Sequence, residues 1–293
     1  MKNSAEDSGG GIMNSADKSI LTSCTFIGNS AENDGGGMSN YGESTPTLTD
    51  CKFISNFSRN GGGGMSNGHQ SSPTLTNCVF IANHAEGYGG GIAVYSGCES
   101  ALANCIFLGN VAHFGGGMSS SGLGGEGNPI RSNYSILVNC TFNGNFARVL
   151  GGGILNAEGS KSKMGNCILW GNRDSSGIGE SAQFDNTRSD LVSAVDNCCI
   201  QGWTGNLGGT GNFGRDPLFV DPNGPDGKIG TLDDNLRLAP ASPCRDAGDN
   251  STLPLDTADL DKDGDVRETI PFDIEGKPRI LNGAVDLGAY ESG

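Results

Sequence analysis

Apolar positions in this chain recur in short bursts separated by glycine and asparagine, with no 3.6-residue apolar period that a helix would need. A triple glycine followed by Ile or Met starts at Gly9, Gly35, Gly62, Gly89, Gly115 and Gly151, at spacings of 26, 27, 27, 26 and 36 residues. A second signature, Cys-x-Phe-x-x-Asn, begins at Cys24, Cys51, Cys78, Cys105 and Cys140 and degenerates at Cys167 and Cys198. Two signatures running in step at about 26 residues mark a solenoid. In the stretch from Pro73 to Asn83, Leu75 points inward, Asn77 interrupts the alternation, and Cys78 and Phe80 point inward again. That pattern predicts two short strands with a bend between them, and a third strand after each glycine triplet. The residue before each cysteine is Ser, Asp or Asn, and Asp and Asn tolerate the left-handed backbone a tight bend requires.

Three short strands and three corners per repeat describe a coil of a right-handed parallel β-helix. Seven coils at about 4.8 Å each give a rod roughly 34 Å long. Phe26, Phe53, Phe80, Phe107 and Phe142 are then expected to stack inside it. Asn29, Asn56, Asn83, Asn110, Asn145 and Asn172 are expected to form an amide ladder. Seven of the ten cysteines share one column and read as buried thiols that act as small hydrophobes. The segment Asn3-Ser4-Ala5-Glu6 repeats Asn29-Ser30-Ala31-Glu32, so the chain opens partway through a coil. This predicts further coils and a leader upstream, within a larger surface protein.

Composition sharpens this picture. Fifty glycines among 293 residues oppose a helical fold, since each interior Gly costs about 1 kcal/mol relative to Ala. No apolar run approaches the ~18 residues of a membrane span. The net charge of −15 disfavours nucleic acid and favours cations. Residues 216–293 carry 17 acidic and 7 basic side chains and lack glycine triplets. They read as an irregular acidic C-terminal cap on a repeat region spanning residues 1–215, with strands expected at Leu218 to Val220, Leu236 to Leu238 and Val285 to Tyr290.

The chemistry-bearing residues are few. Asp259, Asp261, Asp263, Gly264 and Asp265 match the first half of an EF-hand-type calcium loop, while position twelve is Ile270 and Glu268 falls two residues early. A second acidic loop carries Asp221, Asn223, Asp226, Asp233 and Asp234. Both are expected to take Ca2+. Lys161, Lys163, Arg173, Asp174, Asp185 and Arg188 form the one mixed-charge group of the rod. If the chain is an enzyme, its catalytic groove is expected there, with Lys161, Arg173, Asp174 and Arg188 as candidates. The fifth coil is nine residues longer than its neighbours, and its insertion bears Glu126, Asn128 and Arg131, which are candidates for ligand binding. His69, His84 and His113 read as ordinary surface or corner residues.

The Gly-Gly-Gly-[Ile/Met] and Phe-x-x-Asn pair resembles the repeats of polymorphic outer-membrane proteins, within the pectin-lyase-like superfamily. Asp216 to Asp221, Ser242-Pro243, Asp246-Ala-Gly248 and the closing Val285 to Glu291 are similar to the tails of secreted, repeat-rich proteins of planctomycete-like bacteria. The resemblance implies the β-helix fold and a location outside the cell. Members with this fold include lyases, hydrolases, epimerases and adhesins. Its polyuronate lyases use calcium on one sheet face with a Lys or Arg base nearby. The regular coils and the lack of a convergent catalytic set favour a structural or adhesive module that binds a polysaccharide or cell-surface glycan. A polyuronate lyase is the alternative.

Overall fold

The computed structural model describes residues 2–122 and 131–292. It is a parallel β-solenoid of about seven turns, and each central turn contributes four short strands. One rung runs Met65–Asn67, Thr74–Thr76, Val79–Ile81 and His84–Ala85. Corresponding strands stack in register into four sheets of seven, seven, seven and six strands, here sheets 1 to 4 in rung order. The fourth strand is a correction to the three expected. It is as short as two residues, one of them buried, so no alternation is visible along it.

Each corner has a chemical cause. Ser23, Asp50, Asn77, Asn104, Asn139, Asn166 and Asn197 all hold φ between 50° and 56°, the left-handed bend expected before each cysteine. The triplet Gly62 to Gly64 shows why three glycines recur. Gly62 has φ +66°. A Cβ on Gly63 would stand 2.5 Å from the His84 carbonyl oxygen, and one on Gly64 would stand 2.8 Å from Phe80 Cδ1. The first glycine makes the turn, the second lets the next rung approach, and the third seats the phenylalanine edge.

Inside, the five phenylalanines stack with ring centroids 4.6, 4.7, 4.8 and 4.3 Å apart and planes within 6° of parallel. The asparagine ladder runs as expected: Asn56 Nδ2 donates to Asn83 Oδ1 at 2.9 Å and to the Phe26 carbonyl at 2.9 Å. Its far end rests on the short helix Glu180–Gln183, where Asn172 Nδ2 donates to Gln183 Oε1 at 2.8 Å. A second, shorter ladder links Asn14, Asn40 and Asn67 in sheet 1. The repeated Asn at the third position of Ile12-Met13-Asn14, Met38-Ser39-Asn40 and Met65-Ser66-Asn67 was the sequence signal for it. The cysteines are free; Cys24 is half-buried and the other nine are buried. Burial pushes the thiols of Cys105, Cys140 and Cys198 well above their ordinary range.

The acidic tail does not sit on the end of the rod. Half-buried Trp203 and Leu207 pack against the last core residues there. The tail folds back along the outer face of sheet 3. Ile81, Ile106 and Leu108 of the coils form one cluster with Leu236 and Ala289. Ile168 and Cys199 pack with Leu238, Cys244 and Leu287, and Ala103 packs with Leu253, Ile270 and Val285. The apolar residues beside the Phe stack are therefore a second core where the tail covers them, while Ile27, one end of that column, is 50% exposed. Repeat region and tail share these clusters. Within the tail, Phe219–Asp221 pairs antiparallel with Asn235–Leu238, close to two expected strands. Residues 285–290 form no strand. Their backbone groups bond singly to the rod, Gly288 N to the Asn166 carbonyl at 2.8 Å and Ala289 N to Thr141 Oγ1 at 3.1 Å.

Candidate functional site

A groove of about 730 Å³ runs along the outside of sheet 1, parallel to the rod axis. Its floor is the second position of each strand. Met13, Ser39, Ser66, Ala93, Ser119 and Leu155 stand in register there, one per rung. Small side chains at the central rungs sink the floor between two taller walls. One wall is the residue before each glycine triplet, where Asp34, Gly61, Tyr88 and Phe114 bridge rung to rung. The Tyr88 and Phe114 rings stack 5.3 Å apart, and the Arg188 guanidinium lies 5.6 Å from the Phe114 ring centroid. The other wall carries Tyr41 and His69, with ring centroids 4.1 Å apart.

Tyr95 lies deep in the groove, edge-on to Tyr88 with centroids 6.4 Å apart. Its hydroxyl reaches Gly61, where any Cβ would collide with it. Tyr95 Oη and Asp34 Oδ1 are buried and have no hydrogen-bond partner among the described residues. Burial lifts the Tyr95 phenol well above its usual range, and the charge of Asp34 adds to this. Burial also raises the Asp34 carboxyl, against hydrogen bonds from Asn60 and Gly61 that lower it. The charged side chains that line the groove are Asp7, Asp34, Glu158 and Arg188.

The expected catalytic group does not converge. Lys161 lies in sheet 2 with its ammonium 5.2 Å from the Tyr134 ring centroid. Arg173 is exposed and bridges Phe146 through its backbone. Asp174 is buried as a corner acceptor, taking the Gly151 N–H at 3.1 Å and the Ser176 hydroxyl at 2.6 Å. Asp185 likewise accepts from Thr187. Of these residues Arg188 alone lines the groove. His69, read as ordinary surface, lines it too. Glu126 and Asn128 lie outside the described residues. Arg131 packs over Gly97 at the base of the insertion, and its N–H donates to the Gly122 carbonyl at 2.9 Å.

The two acidic loops differ. In the first, carboxylate oxygens of Asp259, Asp261 and Asp263 lie within 4.8 Å of one another, and so do those of Asp256, Asp261 and Glu268. Asp265 belongs to neither group; its carboxylate accepts the Arg267 N–H. Asp256 was not expected, because it precedes the Asp-x-Asp-x-Asp pattern. The antiparallel bridge between Leu255 and Thr269 brings it beside Glu268. Burial raises the Asp256 carboxyl, and the nearby charges of Asp261 and Asp259 raise it further. In the second loop, Asp221, Asp226, Asp233 and Asp234 form no such group among the described residues. There Asp226 and Asp234 accept backbone N–H groups of their own turn, and Ile229 and Gly230 pack on Gly109 and Gly144 of the rod.

Among the described residues no helix is long and apolar enough to cross a membrane. No curated protein and no solved structure matches this chain. A family model described as a right-handed β-helix region matches residues 2–134, and the same register continues beyond that stretch to Ile200. The chain is a right-handed parallel β-helix flanked by its own C-terminal tail.

Proposed function

We propose that this protein is an extracellular glycan-binding β-helix module, and that the groove over sheet 1 holds an extended polysaccharide along the rod axis. The observation that carries the reading is the alignment of a small-residue floor, Ser39, Ser66, Ala93 and Ser119, with an aromatic wall of exposed Tyr88 and half-buried Phe114. The floor repeats with the rung, so equivalent contacts are offered there at about 4.8 Å intervals, and the aromatic wall stands over two neighbouring rungs. Aromatic faces bind the apolar faces of sugar rings, and the serines of the floor supply hydroxyl partners. Among the described residues, three carboxylates against one guanidinium make a neutral glycan a better occupant than a polyuronate.

Intrinsic fluorescence and calorimetric titration with neutral and acidic oligosaccharides test this reading. Neutral glycans are expected to bind, and Tyr88→Ala with Phe114→Ala is expected to abolish binding without changing the melting temperature. Preferential binding of polyuronates, with absorbance from a new C=C bond, would favour the lyase alternative. No binding of any glycan would leave a scaffold role.

A further inference from the structure

We propose that the loop between Asp256 and Glu268 is a divalent-cation site that takes calcium, with Asp256, Asp261 and Glu268 as inner ligands and Asp259 and Asp263 closing its outer side. Asp256 is fully buried. Its Oδ2 accepts the Leu260 N–H at 2.7 Å, but its Oδ1 has no partner among the described residues. Glu268 Oε1 is likewise buried and unpartnered. A carboxylate oxygen sealed from water and left without a donor costs free energy unless a cation meets it.

The spacing fits calcium. Oxygens held about 2.4 Å from one ion stand at most about 5 Å apart, and those of Asp256, Asp261 and Glu268 lie within 4.8 Å of one another. The donors are all carboxylates, with no His or Cys in either group, which selects a hard cation over zinc or copper. An irregular loop with one open side suits calcium's flexible coordination better than the strict octahedron of magnesium.

The site stands at the neck of a hairpin. Asp256 N–H donates to the Glu268 carbonyl at 2.8 Å, and Ile270 N–H donates to the Pro254 carbonyl at 3.0 Å. Just beyond that neck, Leu253 and Ile270 pack on Ala103 of the rod. A cation at the neck removes the repulsion among the carboxylates and fixes the hairpin that fastens the tail to the coils.

Chelator-stripped full-length protein titrated with CaCl2 by calorimetry, and melted with and without calcium, tests the proposal. Saturable binding and a higher melting temperature are expected, with a weaker response to MgCl2. Asp256→Asn and the exposed Asp261→Asn are each expected to weaken calcium binding about tenfold or more, while Asp265→Asn leaves it unchanged. Should Asp256→Asn fail to fold, Asp261→Asn decides. Absence of both heat and melting shift at millimolar calcium overturns the proposal, as does binding that neither ligand substitution weakens.

Discussion

Asn172 donates to Gln183 Oε1 at 2.8 Å, so the asparagine ladder ends on a helix instead of in solvent. Gln183 also donates back to the Asn172 carbonyl at 2.8 Å. A longer side chain from a helical turn thus completes a column that strands build elsewhere. Interior and terminal members of the ladder should therefore carry comparable weight. Asn83 joins neighbours on both sides, donating to Asn110 and Phe53 and accepting from Asn56. At about 1 kcal/mol per bond, and more for donors left buried, Asn83→Ala is expected to cost about 3 kcal/mol or more. Gln183 accepts from Asn172 N and Nδ2 and donates to the carbonyls of Asn172 and Ile178, so Gln183→Ala is expected to cost about as much. Urea denaturation of the two variants checks the match.

The phenylalanine stack should be equally sensitive. Phe80 is fully buried between Phe53 and Phe107. Phe80→Ala opens a cavity mid-rod and is expected to cost about 3–5 kcal/mol, while Phe80→Leu, the residue type that continues the same column at Leu169, should cost less. Thermal melts of the pair give the comparison.

The tail is locked by a buried charge cluster. The Arg279 side chain is wholly buried, donates to the carbonyls of Asp286 at 2.7 Å and Gly288 at 2.8 Å, and faces Glu291 at 3.6 Å. Burial pushes the Glu291 carboxyl up to about 7, although Arg279 opposes the shift. The folded state thus holds this proton more tightly than the unfolded chain does. The stability it contributes is full below the ordinary Glu range near 4.5 and is lost as pH rises through about 7. Burial raises Asp286 in the same direction. Unfolding free energy measured from pH 4.5 to 7 should fall in the native protein and fall less in Glu291→Gln. Arg279→Met strands the buried carboxylates and is expected to destabilise by about 3–5 kcal/mol.

Gly288 tests how the tail is seated. Its φ is +84°, and a Cβ there would stand 2.7 Å from Thr141 Oγ1 and 2.9 Å from Ile168 Cδ1. Gly288→Ala should lift the tail from sheet 3 and expose Ile81 and Leu108. Increased binding of a hydrophobic dye, with the far-ultraviolet spectrum of the coils retained, is the expected outcome; an unchanged dye signal would place the tail's hold elsewhere.

The fold was legible because its causes repeat. Asn77 and Phe80 each have an equivalent on nearly every rung, and a column of identical residues declares itself in one sequence. The groove was not legible for the opposite reason. Its wall is Asp34, Gly61, Tyr88 and Phe114, four residue types at one structural position, and no motif links them. Asp256 escaped for a third reason: chain reversal in the tail, not spacing, sets it beside Glu268. The tail's place along sheet 3 was not legible, since apolar positions such as Ile54, Ile81 and Leu108 suit a binding stripe as well as a core. The residues that cover them, Phe219, Leu236 and Ala289 among others, are scattered and carry no period.

The groove's use as a glycan track is tested most directly by chain length. Calorimetric titration of one neutral oligosaccharide series should show affinity climbing with each added sugar and levelling at about five units, one per ~4.8 Å step between the six rungs from Met13 to Leu155. The climb should stop short in Tyr88→Ala. Affinity independent of length, or a length dependence untouched by Tyr88→Ala, would contradict the account.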